Sequence, residues 1–303
     1  MNVIEETKKQ DFFGIINVNK PKGFTSHDVV NKLRKIFKIK QIGHTGTLDP
    51  MAVGVLPVCI GKATKIIQYL ESSKAYRAFI KLGIKTDTYD MEGEILEKIP
   101  VNLNIEKVKK YLEEFKGEIT QTPPIYSAVH YKGKRLYEYA RNNIEVTDIP
   151  TRKVTINLID LIDISEKNSE NPVLIVDIDC MEGTYIRSIA YDLGEKLGYG
   201  ACLSGLIRTK AGRFLFEDAH TLKEIESFYQ TGDFNKFLIN PVEILPLEIF
   251  EIDETLLDKI KNGQHFSVER AFKSNLLQLV YKNKLAAIAR FEDNIIKPMN
   301  VFL

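Results

Sequence analysis

Asp49 is the residue of this sequence best placed to do chemistry. It sits near the end of the run Gly43-His44-Thr45-Gly46-Thr47-Leu48-Asp49-Pro50. Two glycines let that backbone turn sharply, and the proline after the acid holds it extended at a loop end. A carboxylate presented in this way can attack as a nucleophile or move a proton. The same residues also suit an acid that opens a turn or caps the next helix, and spacing alone leaves the two readings even. Farther on, Gly54 to Ala63 invites comparison with a phosphate loop. Six residues separate its glycines, however, and Ala63 follows Lys62, where that loop needs a gap of four and then Ser or Thr. Nucleoside-triphosphate chemistry is therefore discarded. The five histidines are scattered at positions 27, 44, 130, 220 and 265, and Cys59, Cys180 and Cys202 stand singly in apolar stretches. No structural metal site or disulfide framework is expected, and the thiols read as small core residues.

The elements that must carry the Asp49 loop are partly legible. Phe13 to Val18 reads as a short strand that leaves into the basic loop Lys20-Pro21-Lys22-Gly23, because proline lacks a donor and Lys-Gly suits a turn. Ser26 is a candidate cap for a helix whose apolar residues Val29, Val30, Leu33, Ile36 and Phe37 recur at helical spacing, leaving a basic outer side. Tyr76 to Leu82 and Val173 to Cys180 are strand-like. Ile105 to Phe115 and Ile186 to Leu197 are helical, each followed by a glycine, Gly117 and Gly198. Strands and helices alternate irregularly, which predicts an α/β chain with a mixed sheet rather than a repeating βαβ array. Leu245-Pro246 follows a loose stretch and marks the expected domain boundary. The division is then a polar lead-in over 1–11, a large domain over 12–245, and a small β-rich domain over 246–303 that contains the strand patterns Leu276 to Tyr281 and Leu285 to Phe291.

With 303 residues, of which 44% are hydrophobic, the chain can build ordinary cores in both parts. A formal net charge of +1 announces no polyanionic partner, so any nucleic-acid site must come from local clustering. The first ten residues lack a secretory core. Met51 to Gly61 is far shorter than the ~20 apolar residues a membrane helix needs. A cytoplasmic protein without membrane contact is expected.

Lys20-Pro21 with Gly23, Gly43 to Pro50 continuing as Met51-Ala52-Val53-Gly54-Val55-Leu56-Pro57, and Gly61-Lys62-Ala63-Thr64-Lys65 together resemble the bacterial tRNA pseudouridine-55 synthase family, TruB. Tyr76 with Leu82-Gly83 and Thr86-Asp87-Thr88 follows in that family's order. So do Gln121-Thr122-Pro123-Pro124 with Tyr126-Ser127-Ala128, and Gly183-Thr184-Tyr185-Ile186-Arg187-Ser188. The resemblance spans roughly residues 12–216 and extends through Asp192-Leu193-Gly194 and Leu203 to Arg208, although Ile207 stands where the family more usually shows a second arginine. It implies the pseudouridine synthase catalytic fold with a small PUA-like RNA-binding domain at the C-terminal side. The implied reaction is isomerisation of one uridine in the tRNA T loop, without cofactor or metal. In that reaction Asp49 would act while the uracil is freed from its sugar, turned and rejoined through carbon. Attack on the base, attack on the sugar and help in deprotonating the ribose all remain open.

Arg187 is the expected partner of Asp49, since a fixed guanidinium can hold a partly buried carboxylate through two parallel hydrogen bonds. The alternative, a surface arginine at a helix start, sets a cation against the positive end of the helix dipole. By resemblance Tyr76 is the active-site tyrosine, stacking on the extracted uracil; by pattern it is a β-former opening a strand. The resemblance also places His44, Tyr185, Leu206 and Lys20 at substrate-binding positions, while Tyr185 and Leu206 fit a core equally well. For His44 it implies filling the space left by the everted uridine. A general base and a buried structural histidine are the competing readings.

Residues 131 to 141, Tyr-Lys-Gly-Lys-Arg-Leu-Tyr-Glu-Tyr-Ala-Arg, interleave cations with aromatics and suit a clamp on the tRNA T stem-loop; as composition alone they are a solvated face. A monomer with no obligatory protein partner is expected. Two other functions fit less well. A non-catalytic RNA-folding protein would have no need of Asp49, Tyr76 and Arg187 together. A relative acting in guide-RNA particles should carry a fuller C-terminal domain than one ending at Val301-Phe302-Leu303.

Overall fold

The computed structural model describes residues 12–142 and 144–303; the lead-in expected over 1–11 lies outside them. A nine-stranded mixed sheet organises the larger part of the chain. Its continuous path runs Gly14–Lys20, Val53–Ile60, Ala201–Ala211, Lys74–Leu82, Val173–Cys180, Arg152–Ser165 and Gly117–Gln121. Ile42–His44 joins the side of Val53–Ile60, and Phe214–Leu215 joins Ala201–Ala211. Val53–Ile60 and Ala201–Ala211 run parallel, and the other pairs in this sheet are antiparallel. The irregular order of strands and helices in the sequence thus resolves into one mixed sheet.

The run Val53–Ile60 shows why. It is apolar almost throughout because both its faces are covered. Leu56, Val58 and Ile60 point into the main core, against Val29, Leu33 and Phe37 of the Ser26–Phe37 helix. The alternating Val55 and Cys59 point the other way, into a second core shared with Val280, Leu285, Ile288 and Phe302. This two-sided strand leads directly out of the Asp49 loop, so the loop is anchored to a strand buried on both faces.

The Ser26–Phe37 helix buries the five apolar residues that its spacing selects. Its start differs from expectation. Thr25, not Ser26, is the N-cap, in a reciprocal capping box with Asp28. Ser26 is instead buried, and its hydroxyl accepts the Leu48 backbone N–H at 2.8 Å, one residue before Asp49. The Ile186–Leu197 helix ends on left-handed Gly198, as expected. It lies so close to the Ala201–Ala211 strand that a Cβ on Gly194 would stand 2.0 Å from the Ala201 nitrogen.

Residues beyond Leu245 form a second, five-stranded sheet in the order Glu248–Glu251, Leu276–Tyr281, Lys284–Glu292, Ile295–Val301, Phe266–Ser267. A helix the sequence reading did not anticipate, Glu254–Lys261, packs on it through Leu257 and Ile260. Beyond the second core, the Tyr69 hydroxyl bonds Asn300 Oδ1 at 2.7 Å and Asn240 donates to the Asn283 carbonyl at 2.9 Å. Cys59, Cys180 and Cys202 are buried free thiols. Among the described residues no helix is long and apolar enough to cross a membrane, and no three His, Cys, Asp or Glu side chains converge as a metal site.

Candidate active site

The loop that presents Asp49 is pinned by cations that reach its backbone. Arg208, 1% exposed, donates from Nε to the Val55 carbonyl at 2.6 Å, from Nη2 to Gly46 at 3.2 Å and from Nη1 to Thr47 at 3.4 Å. It reaches them because the Ala201–Ala211 strand places Arg208 beside Gly54. Glycine is required there: its φ is +104°, and a Cβ would lie 2.3 Å from the Arg208 carbonyl oxygen. On the other side of the loop Lys20, fully buried, donates to the carbonyls of Pro21, Phe24 and Pro50. Burying a cation is costly unless its donors are satisfied, and both side chains meet that demand with backbone oxygens of the loop or its neighbours.

Asp49 is thereby held with its side chain one-third exposed, facing a cleft, while Arg187 approaches from the protein side with only 6% of its side chain exposed. The pair is bidentate: Arg187 Nε meets Asp49 Oδ2 at 2.9 Å and Nη2 meets Oδ1 at 3.2 Å. The remaining guanidinium edges donate to Thr88 O at 3.2 Å and Tyr126 O at 3.0 Å. Asp90 Oδ2 lies 3.8 Å from Arg187 Nε, and Asp90 is fixed in turn by the Thr88 hydroxyl at 2.7 Å and the Glu92 N–H at 3.0 Å. Arg187 is the second residue of the Ile186–Leu197 helix, where a cation opposes the helix dipole; two carboxylates offset that cost.

The cleft has a volume of about 780 Å³. Asp49, Tyr76, Arg187, His44, Tyr185 and Leu206 all line it, so the structure brings together six of the seven site residues picked from the sequence. Tyr76 is 9% exposed. Burial raises its phenol above the ordinary value, outweighing Arg208 beside it, so the ring enters the cleft as a neutral phenol. Burial, with Arg208 and His27 nearby, lowers the His44 imidazole, and its buried Nδ1 has no hydrogen-bond partner among the described residues. Tyr185 is clamped through its backbone by Gln121, which accepts its N–H at 2.8 Å and donates to its carbonyl at 3.0 Å. Arg135, Tyr137 and Arg141, from the basic and aromatic segment, form part of the cleft wall.

Lys20 is the exception. Its nitrogen is turned into the three-carbonyl cage and Lys20 does not line the cleft, so the substrate contact that the resemblance implies is corrected to support of the Asp49–Pro50 turn. Burial pushes the ammonium down to about 8, with the Asp49 charge opposing and Arg208 adding. The unfolded chain keeps that proton to about 10.5, so between these limits the unfolded state binds more protons and this residue makes stability rise with pH. The wild type should therefore gain stability over Lys20→Met from pH 8 toward 10.5, by up to about 3 kcal/mol. Paired thermal melts across that range check it; parallel curves would refute the buried cage.

Two adjoining family models match the chain: TruB family pseudouridylate synthase (N terminal domain) over residues 34–186, and tRNA pseudouridylate synthase B C-terminal domain over residues 187–249. The chain belongs to the TruB family of pseudouridylate synthases. It is 44% identical over 310 aligned residues to a tRNA pseudouridine synthase B of Prochlorococcus marinus (strain NATL2A), covering 96% of this chain and 98% of the relative. To the tRNA pseudouridine synthase B of Bacillus subtilis (strain 168) it is 46% identical, over 82% of each chain. A chain from a Cbf5-Nop10-Gar1 complex superposes with a TM-score of 0.71 at 26% identity, covering 96% of this chain and 85% of that one. The junction of the two TruB models falls between Ile186 and Arg187, so the Asp49–Arg187 pair joins the two matched segments.

Sequence reasoning missed three members of this TruB-family site. Asp90 and Arg208 are described above, and Lys74 also lines the cleft. Arg208 carried a signal, a cation directly after the apolar pair Leu206-Ile207. Asp90 carried only its place among turn residues.

Proposed function

We propose that this protein isomerises uridine to pseudouridine in transfer RNA, at position 55 of the T loop. The reading is carried by one observation: a loop-borne carboxylate, Asp49, gripped from behind by a buried bidentate Arg187 and open to a cleft large enough for an everted nucleotide. The relatives named above are tRNA pseudouridine synthases B. In the reaction the bond between C1′ and N1 breaks, the uracil turns, and a bond from C1′ to C5 forms. The proton on C5 is lost and N1 takes one up, so the product is an isomer and no atom is gained. Asp49 is the group that attacks the base or sugar, or takes the ribose proton. Tyr76 stacks on the uracil, Tyr185 and Leu206 shape the pocket, and Arg135 and Arg141 contact phosphates of the T stem-loop. We assign residues 246–303 as a PUA-like RNA-binding domain after a catalytic domain over 12–245. Because one chain supplies the whole pocket, we assign single-chain action, in the cytoplasm where unmodified tRNA is found.

Site-resolved pseudouridine mapping on unmodified tRNA, with wild type and Asp49→Asn and without added nucleotide or metal, tests the reading. Conversion of the T-loop uridine by wild type alone is expected. Tight binding by wild type without conversion would instead favour an RNA-folding protein.

His44 is assigned to the space the uridine vacates. A lowered imidazole pKa makes it a neutral, flat ring at pH 7, suited to stacking. His44→Phe should then keep conversion within a few-fold of wild type, while His44→Ala loses ~1–3 kcal/mol of RNA binding. If His44→Phe abolished single-turnover conversion, an obligatory proton transfer would replace stacking.

A further inference from the structure

We infer that Lys74 is a binding site for one backbone phosphodiester of the bound RNA, beside the everted nucleotide. The inference rests on the RNA-modifying reading above and adds to it a named contact on the cleft floor. Lys74 opens the Lys74–Leu82 strand two residues before Tyr76, so both side chains leave the same face of the sheet. Both line the cleft.

Its partners are too few for its burial. Lys74 is 7% exposed, yet its ammonium makes a single hydrogen bond, to the Ser72 carbonyl at 3.1 Å. Among the described residues no carboxylate lies within ion-pairing distance of it. The other buried cations near the Asp49 loop are satisfied: Lys20 by three carbonyls, Arg208 by three carbonyls, Arg187 by Asp49 and two carbonyls. Burial and the Arg208 charge both push the Lys74 ammonium down, while Glu182, exposed on the rim, and then Cys180 act the other way. Gly46 covers both cations; a Cβ there would lie 3.5 Å from Lys74 Cε and 3.8 Å from Arg208 Nη1. The cleft floor thus holds two like charges under one loop, one tied to three backbone carbonyls and one to a single carbonyl. A phosphodiester supplies what is missing, a full negative charge and several acceptors. The uracil is neutral and would leave the charge uncompensated.

The test is binding of a T-arm stem-loop RNA to wild type, Lys74→Met and Lys74→Arg over a series of salt concentrations. Each phosphate neutralised in a single-stranded loop contributes about 0.7 to the slope of log K against log[salt]. Lys74→Met should bind more weakly, with a slope shallower by about that amount, and Lys74→Arg should keep the wild-type slope. A second measurement uses wild type with RNAs carrying a single methylphosphonate at each phosphate flanking the target uridine. One position should weaken wild type as much as Lys74→Met does, and should weaken Lys74→Met no further. An unchanged slope in Lys74→Met, or methylphosphonate penalties equal in wild type and variant at every position, overturns the assignment and leaves Lys74 as a partner for a reoriented Glu182. If Lys74→Met fails to fold, the wild-type scan still decides, since no sensitive phosphate would mean no contact. Absence of conversion by wild type would strike the proposed function instead; normal conversion with an unchanged slope strikes only Lys74.

Discussion

Asp49→Asn should lower single-turnover conversion of a T-loop uridine by at least ~10⁴-fold, the scale at which loss of a nucleophile or its equivalent is felt in other enzymes. The substitution is nearly isosteric and removes the charge and one acceptor oxygen. It should not undo the site. Arg187 retains Thr88 O, Tyr126 O and Asp90, and the loop remains tied down by Ser26, Lys20 and Arg208. RNA affinity should therefore stay within a few-fold of wild type while the rate collapses. Rapid-quench conversion and equilibrium binding on the same preparation separate the two. Residual conversion within ~100-fold of wild type would place the essential group elsewhere.

How much of this site could be seen in the sequence depends on how local each residue's reason is. The Asp49 loop was legible because two glycines and a proline state their backbone requirement in the sequence itself. The helices Ser26–Phe37 and Ile186–Leu197 and the strand Val173–Cys180 were legible because their apolar residues recur at one clear period. The Thr25–Ser26 start was not, since both residues can cap. The choice is made by Leu48, far along the chain, which takes the Ser26 hydroxyl. Lys20 shows the same limit in reverse. Its motif marks a basic loop, but its side chain folds back onto Pro50, thirty residues away. Arg208 was visible only as the end of the Leu203 to Arg208 resemblance, and its purpose depends on a register that sets it beside Gly54 and Tyr76. In the C-terminal sheet, the Glu254–Lys261 helix left a usable sign: Asp253 caps it, accepting the Leu256 N–H at 2.8 Å, ahead of Leu257 and Ile260. At eight residues it is too short for periodicity to stand out.

Arg187→Met should cost about 3–5 kcal/mol of site integrity, because removing one partner of a buried pair leaves the other uncompensated. Expressed in kcat/KM that is roughly 200- to 5,000-fold. Here the penalty is compounded, since Asp49 and Asp90 both lose their shared cation and the Thr88 and Tyr126 carbonyls lose their donors. Lysine should not rescue. Its single ammonium cannot span both Asp49 oxygens while also reaching two carbonyls on opposite edges of a planar group, so Arg187→Lys should remain well below wild type. The double variant Asp49→Asn/Arg187→Met distinguishes a catalytic unit from two separate supports. If Arg187 acts through the carboxylate, the double variant should convert RNA no more slowly than Asp49→Asn alone, the non-additivity of residues that work together. A further large loss in the double variant would give Arg187 a contact with the RNA of its own. Near-wild-type activity in Arg187→Met would instead mean that Asp49 is held in position by its loop, without the guanidinium.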